Sequence, residues 1–162
     1  MRPPLHSALR ALAVLPLLLV YACSPSRGAG AGAAAGDLPP DLTILFGRTG
    51  GVAGQLQGHS IRADGSVLRW NGKAPEEHVQ AEGQLARDQV AALWAHVQAA
   101  DVFGQQRQDM DPVVSFVNVT ANGESRRVAW HVPLGEDPPD TPIQGLFDAL
   151  QEAARAAIEA AP

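Results

Sequence analysis

The apolar residues of this chain switch between two spacings, and the order of the switches limits what it can fold into. Leu42, Ile44 and Phe46 alternate with Thr43, Leu45 and Gly47, and strand-like segments follow at 56–62 and 67–70. A period of two marks a strand with one buried face. Asp64-Gly65 and Asn71-Gly72 are hairpin-turn dipeptides, expected to close successive strands. A short fourth strand is expected at 78–81. Over 85–100 the spacing becomes helical: Val90, Leu93, Trp94 and Val97 line one face, and Phe103-Gly104 ends the run before a polar loop at 105–111. Alternation returns at 112–120, with Val113, Ser115, Val117 and Val119 on one face and Val114 and Phe116 on the other. A strand apolar on both faces is usually an interior one. Asn122-Gly123 then turns the chain into a partner strand at 127–132, with Val128, Trp130 and Val132 inward and Arg127, Ala129 and His131 outward. After a loop rich in Pro and acid, Thr141 is expected to cap a last helix. Pro142 suits its first position, and Gln144 is expected to complete a capping box. Ile143, Leu146, Phe147, Leu150, Ala154 and Ile158 form its apolar stripe. The predicted fold is α+β: an antiparallel sheet of about five or six strands with two helices packed on one face, in the order β-β-β-(β)-α-β-β-α.

No disulfide can brace that fold, because Cys23 is the sole cysteine. It follows Arg2, Arg10, an apolar run at 11–20 and the tripeptide Val20-Tyr21-Ala22. A charged start, a short apolar core and a small residue before the cut describe a signal peptide over 1–22, whose apolar core is too short to remain as a membrane span. With cysteine first after the cut, the segment resembles the lipobox of bacterial lipoproteins, although Tyr21 stands where that motif usually has a small residue. The resemblance implies a diacylglycerol thioether on Cys23; the alternative is ordinary secretion with a free thiol. Ser24, rather than Asp, follows the cysteine, which by the enterobacterial sorting rule implies the outer membrane. Residues 23–41 are expected to form the lipidated cysteine and a Gly/Ala/Pro tether with too few large apolar side chains to fold. The single domain is expected over 42–162. Export removes two of the twelve basic residues and none of the seventeen acidic ones, leaving a net charge of −7. That balance argues against nucleic acid and against electrostatic docking on anionic lipid.

Chemistry-bearing constellations are sparse. His59, His78, His96 and His131 remain after export, none paired at the spacing of a zinc-binding helix, and no metal or other cofactor is expected. Asp109, Asp111, Glu136, Asp137 and Asp140 lack the regular spacing of a calcium loop. No serine sits in a Gly-x-Ser-x-Gly elbow. The glycines at 50, 51 and 54 precede a strand-like segment, whereas a phosphate-cradling loop needs a helix. No catalytic residues are therefore expected. Trp94 and Trp130 are expected in the core.

Ile44-Leu45-Phe46-Gly47-Arg48-Thr49-Gly50-Gly51-Val52-Ala53-Gly54 resembles the opening of the emfourin family, small proteins first known as inhibitors of protealysin, a thermolysin-like zinc metalloprotease. In that family a strand runs into a Ser-Gly-Gly-Phe-Ala-Gly-like segment, followed by a Leu-bearing helix ending near a Phe, a strand hairpin and a C-terminal helix. Leu93, Phe103, the hairpin at 113–132 and the helix around 146–150 fall in that order here. Thr49 replaces the usual serine, Val52 replaces the aromatic, and the loop at 72–79 is longer. The likeness covers about 42–154. It implies a non-enzymatic protein whose domain binds, and inhibits, a thermolysin-like metalloprotease. A structural or assembly lipoprotein of the envelope is the alternative. Two segments are expected to present partner-binding loops: Arg48, Thr49, Gly50, Gly51, Val52, Ala53 and Gly54, and a second loop around Glu136 and Asp137. The glycines equally suit a bulge or tight connection with no binding role.

Overall fold

The computed structural model describes residues 38–50, 54–111, 113–131 and 140–162. Six strands form one antiparallel sheet: β1 (Thr43–Gly50), β2 (Gln55–Arg62), β3 (Ser66–Gly72), β4 (His78–Gln84), β5 (Val114–Ala121) and β6 (Glu124–Trp130). Their order across the sheet is β4-β3-β2-β1-β5-β6, so β5 is an interior strand. Helix α1 (Arg87–Ala99) follows β4, a 3-10 turn spans Val102–Gly104, and α2 (Pro142–Glu159) ends the fold. The class, the element order and the two helices are those the hydrophobic spacing predicts.

Local chemistry accounts for most of the joints. Asn122 and Gly123 both adopt positive φ, 55° and 77°, as the two central residues of a primed hairpin turn must. Both oxygens of Asp41 hold that turn, accepting from the Asn122 and Gly123 amides at 2.7 Å each. Leu38 packs on the core as well, so the domain's contacts begin before Leu42, within the segment assigned to the tether. The Asn71-Gly72 turn is a correction. Both residues continue β3, with Gly72 opposite Leu56 of β2. The chain reverses after them, where the Glu77 carboxylate accepts from the Lys73 and Ala74 amides. At α2, Thr141 Oγ1 accepts from the Gln144 amide as expected. The rest of the capping box is absent, because the Gln144 side chain turns instead to Trp130 and Asp148.

Both helices pack on one sheet face. Ile44, Phe46, Ile61, Val67, Val117, Val119, Val128 and Trp130 meet Val90, Leu93 and Val97 of α1 and Ile143, Leu146, Phe147, Leu150 and Ala154 of α2. Phe147 stands edge-on to both Phe46 and Trp130, with centroids 6.1 Å and 5.4 Å away. The expected core tryptophans are re-sorted. Trp130 is fully buried, while Trp94 is only partly buried at the rim of this cluster. Trp70, not assigned to the core from sequence, is buried on the opposite sheet face with Val114, Phe116 and Ala129. Ala129 therefore points away from the helices, as predicted, yet is buried. Segment 105–111 is more ordered than a solvated loop. Gln108 bridges Ala129 in parallel, covering the outer edge of β6, and one Asp109 oxygen accepts from Arg107 and from the His131 amide. These donors, Arg107 first, hold the Asp109 carboxyl below its ordinary pKa.

Candidate functional site

The helices cover only part of their sheet face, and the register of β1, β2 and β3 shows where the cover stops. Three cross-strand rows can be read on this face. Ile44, Ile61 and Val67 form the first, all fully buried. Phe46, His59 and Arg69 form the second, in which burial gives way to exposure from β1 to β3. Arg48, Gln57 and Asn71 form the third, which has no apolar member. The face thus changes from core to polar surface within one row, simultaneously on three adjacent strands.

Past this line lies an open concavity of about 500 Å³. Its floor is the backbone of Gly47, Gly58 and Trp70, and Gln151 of α2 forms one wall. A second hollow of about 710 Å³ shares His59, Arg69 and Gln151 and runs along α2 past Asp148, Glu152 and Arg155. Together they make one trough beside the second helix. Among the described residues neither Arg48 nor Arg69 pairs with a carboxylate, although Arg62, Arg107, Arg126 and Arg155 each do.

The edge of the trough nearest the core is braced by aromatic contacts. The His59 ring stacks on Phe46 at 5.3 Å with 19° between planes, and Phe46 is fixed in turn by Phe147. Burial, and secondarily the charge of Arg69, holds the His59 pKa below its ordinary value. The imidazole is therefore neutral at pH 7, offering one donor and one acceptor. At the far wall the β3–β4 register slips between Arg69 and Trp70: Ala81 faces Arg69, Val79 faces Trp70, and Gln80 is the extra residue. Such a bulge re-aims a side chain. Here Gln80 reaches the trough and donates from Nε2 to Asn71 Oδ1 at 3.3 Å.

Of the residues singled out as binding loops, Arg48, Thr49 and Gly50 are not loop residues. They lie in β1, paired with β2, and Arg48 and Thr49 are paired with β5 as well. Gly54 is exposed and takes a φ of 60° at the start of the β2 side of the hairpin. Gly51, Val52, Ala53, Glu136, Asp137 and Cys23 lie outside the described residues. The structure brings Arg48 together with His59, Arg69, Asn71 and Gln80, a grouping that sequence reasoning missed. The available signal was the alternate positions of the three strands, which turn polar in step. Among the described residues, no three His, Asp or Glu side chains gather as metal ligands. No family model matches the chain, and no curated protein matches it.

Proposed function

We propose that this chain is an exported lipoprotein, held at the cell envelope by lipid on Cys23, whose domain binds a protein partner through the trough beside α2. The observation that carries the reading is the division of one sheet face. Its covered half holds a dense core, while its open half presents, on paired strands, carboxamides and arginines that have no carboxylate partner among the described residues. Polar side chains held on rigid strands suit recognition better than the same groups on loops. Inhibition of a thermolysin-like metalloprotease is the form of binding implied by the resemblance at 44–54. The lipid anchor rests on the order of residues 2–23. Stable anchoring takes more than one acyl chain, as the lipoprotein resemblance supplies.

Three measurements test this. Titrating the purified chain, in detergent, into several thermolysin-like enzymes is expected to lower peptidase activity; no loss at micromolar protein removes the inhibitory form. Crosslinking in cells is expected to recover a defined protein partner. Recovery of an envelope assembly subunit instead of a protease would favour the non-inhibitory lipoprotein. Labelled palmitate is expected on the wild type and not on Cys23→Ser, and an unlabelled, soluble wild type would refute the anchor.

A further inference from the structure

We propose that the trough receives an extended acidic segment of the partner, with Arg48 and Arg69 taking its carboxylates. The inference deepens the protein-binding reading and rests on it. The domain is acidic overall, yet the two rows that line the trough carry two guanidinium groups with no carboxylate partner among the described residues. Four arginines elsewhere in the domain, Arg62, Arg107, Arg126 and Arg155, each lie within 4.0 Å of a carboxylate. A guanidinium fork matches a carboxylate with two parallel hydrogen bonds, the strongest such contact available to a side chain. The third arginine of the trough, Arg155, is already paired with Glu159 at 3.6 Å, which leaves Arg48 and Arg69 for a ligand.

Spacing argues for a peptide rather than a small anion. Arg48 stands on β1 and Arg69 on β3, separated by β2 and by one row. Strands two apart are about 10 Å apart, and same-side residues of an extended chain recur about every 7 Å. Alternate carboxylates of one extended segment therefore match the two long side chains, one to each. Carboxamides fill the space between: Gln57, Asn71, Gln80 and Gln151. Each offers both a donor and an acceptor, which is what a peptide backbone requires. The bulge at Gln80 gives a second, independent sign. Regular β4 pairing would send that side chain to the other face, and the slip delivers it to the trough.

The test uses the full chain in detergent. The probe is an end-capped octapeptide alternating Glu and Thr, with a Gln-for-Glu version, inorganic phosphate and a single-stranded oligonucleotide alongside. The Glu peptide is expected to bind about tenfold or more tightly than the Gln peptide, and Arg48→Gln with Arg69→Gln to lose that margin. Arg87→Gln, on the far helix, is expected to change nothing. Circular dichroism of the double variant keeps loss of folding apart from loss of binding. Equal affinity for both peptides, full affinity in the double variant, or tighter binding of phosphate or oligonucleotide than of peptide would each overturn the proposal. Crosslinking in cells separates it from the broader reading. A partner still captured by the double variant removes the trough and leaves protein binding standing. A wild type that binds the Glu peptide but captures no partner does the reverse.

Discussion

Each face of the sheet buries a tryptophan and satisfies its indole N–H, but by different means. Trp130 donates to Gln144 Oε1 at 2.9 Å, a residue of α2. Trp70 donates to Ser60 Oγ at 2.8 Å, a residue of the adjacent strand. On the helix face, burial depends on a separate element docking. On the other face the sheet covers itself: a Cβ on Gly58 would lie 2.9 Å from the Trp70 ring, so only glycine allows the indole to lie that close. The first solution couples the sheet to α2; the second keeps the indole bond between β2 and β3, with β5 and β6 adding cover from the same sheet. Damage to α2 is therefore expected to unmake the helix-side core while leaving the Trp70 side locally formed.

The largest effect belongs to Phe147→Ala. The ring is fully buried against Phe46 and Trp130, and its loss leaves a cavity that should cost roughly 3–5 kcal/mol. That is a large share of the 5–15 kcal/mol typical of a domain, and no internal disulfide offsets it. The urea midpoint is expected to fall sharply. Glu152→Ala, exposed on the same helix, should leave it nearly unchanged. Equal midpoints would mean that the helix contributes nothing to the helix-side core.

Why some of this was legible and some was not follows from range. The primed turn at Asn122-Gly123 and the cap at Thr141 are decided by neighbours in the chain, and both appear where the residues indicate. Gln144 answers to Trp130, fourteen positions back, so local capping logic misplaces its side chain. Asn71-Gly72 has the composition of a turn, but pairing with β2 keeps it extended. The trough is the clearest case. Arg48, Gln57 and Asn71 are unremarkable separately and become a row only once the β1–β2–β3 register is known.

The indole bonds offer a sharper comparison. Gln144→Leu and Ser60→Ala each leave a buried N–H without its acceptor, which should cost about 1–3 kcal/mol in either case. The two losses should differ in place. Hydrogen exchange should quicken along α2 in Gln144→Leu and stay unchanged there in Ser60→Ala. Faster exchange of α2 in both variants would show that the two faces are not independent.

A smaller loss is expected from Arg127→Ala. Its guanidinium lies 4.8 Å from the Phe116 ring centroid, over the sheet face that no helix covers. A cation over a ring at an exposed site contributes about 0.5–1 kcal/mol. Arg127→Lys keeps the charge but not the flat contact, so it should fall between wild type and alanine. A midpoint for Arg127→Ala equal to wild type would mean that the guanidinium adds no cover to that face.

The smallest effect is a dependence on pH, and it distinguishes the covered from the open half of the helix face. His59 sits on their border, stacked on Phe46, with Arg69 of β3 beside it and Asp148, Glu152 and Arg155 of α2 lining the same hollow. Burial, then Arg69, lowers its folded-state pKa from the ordinary 6.5. Well above pH 6.5 the ring is neutral in both folded and unfolded chains and contributes no pH dependence. As the pH falls below that value the unfolded chain takes up a proton that the folded chain refuses. Stability is therefore lost progressively down to the folded pKa and levels off beneath it. Asp41, Asp64, Glu77 and Asp109 also have lowered pKa values, but their ordinary values of 3.8 and 4.5 put their share of the loss at more acid pH. Urea midpoints at pH 7.5 and 5.5 should thus fall further in wild type than in His59→Gln, which has no proton to refuse. Identical losses in the two proteins would mean that His59 is solvated like an exposed imidazole, and that the boundary between core and trough lies one row closer to Ile44.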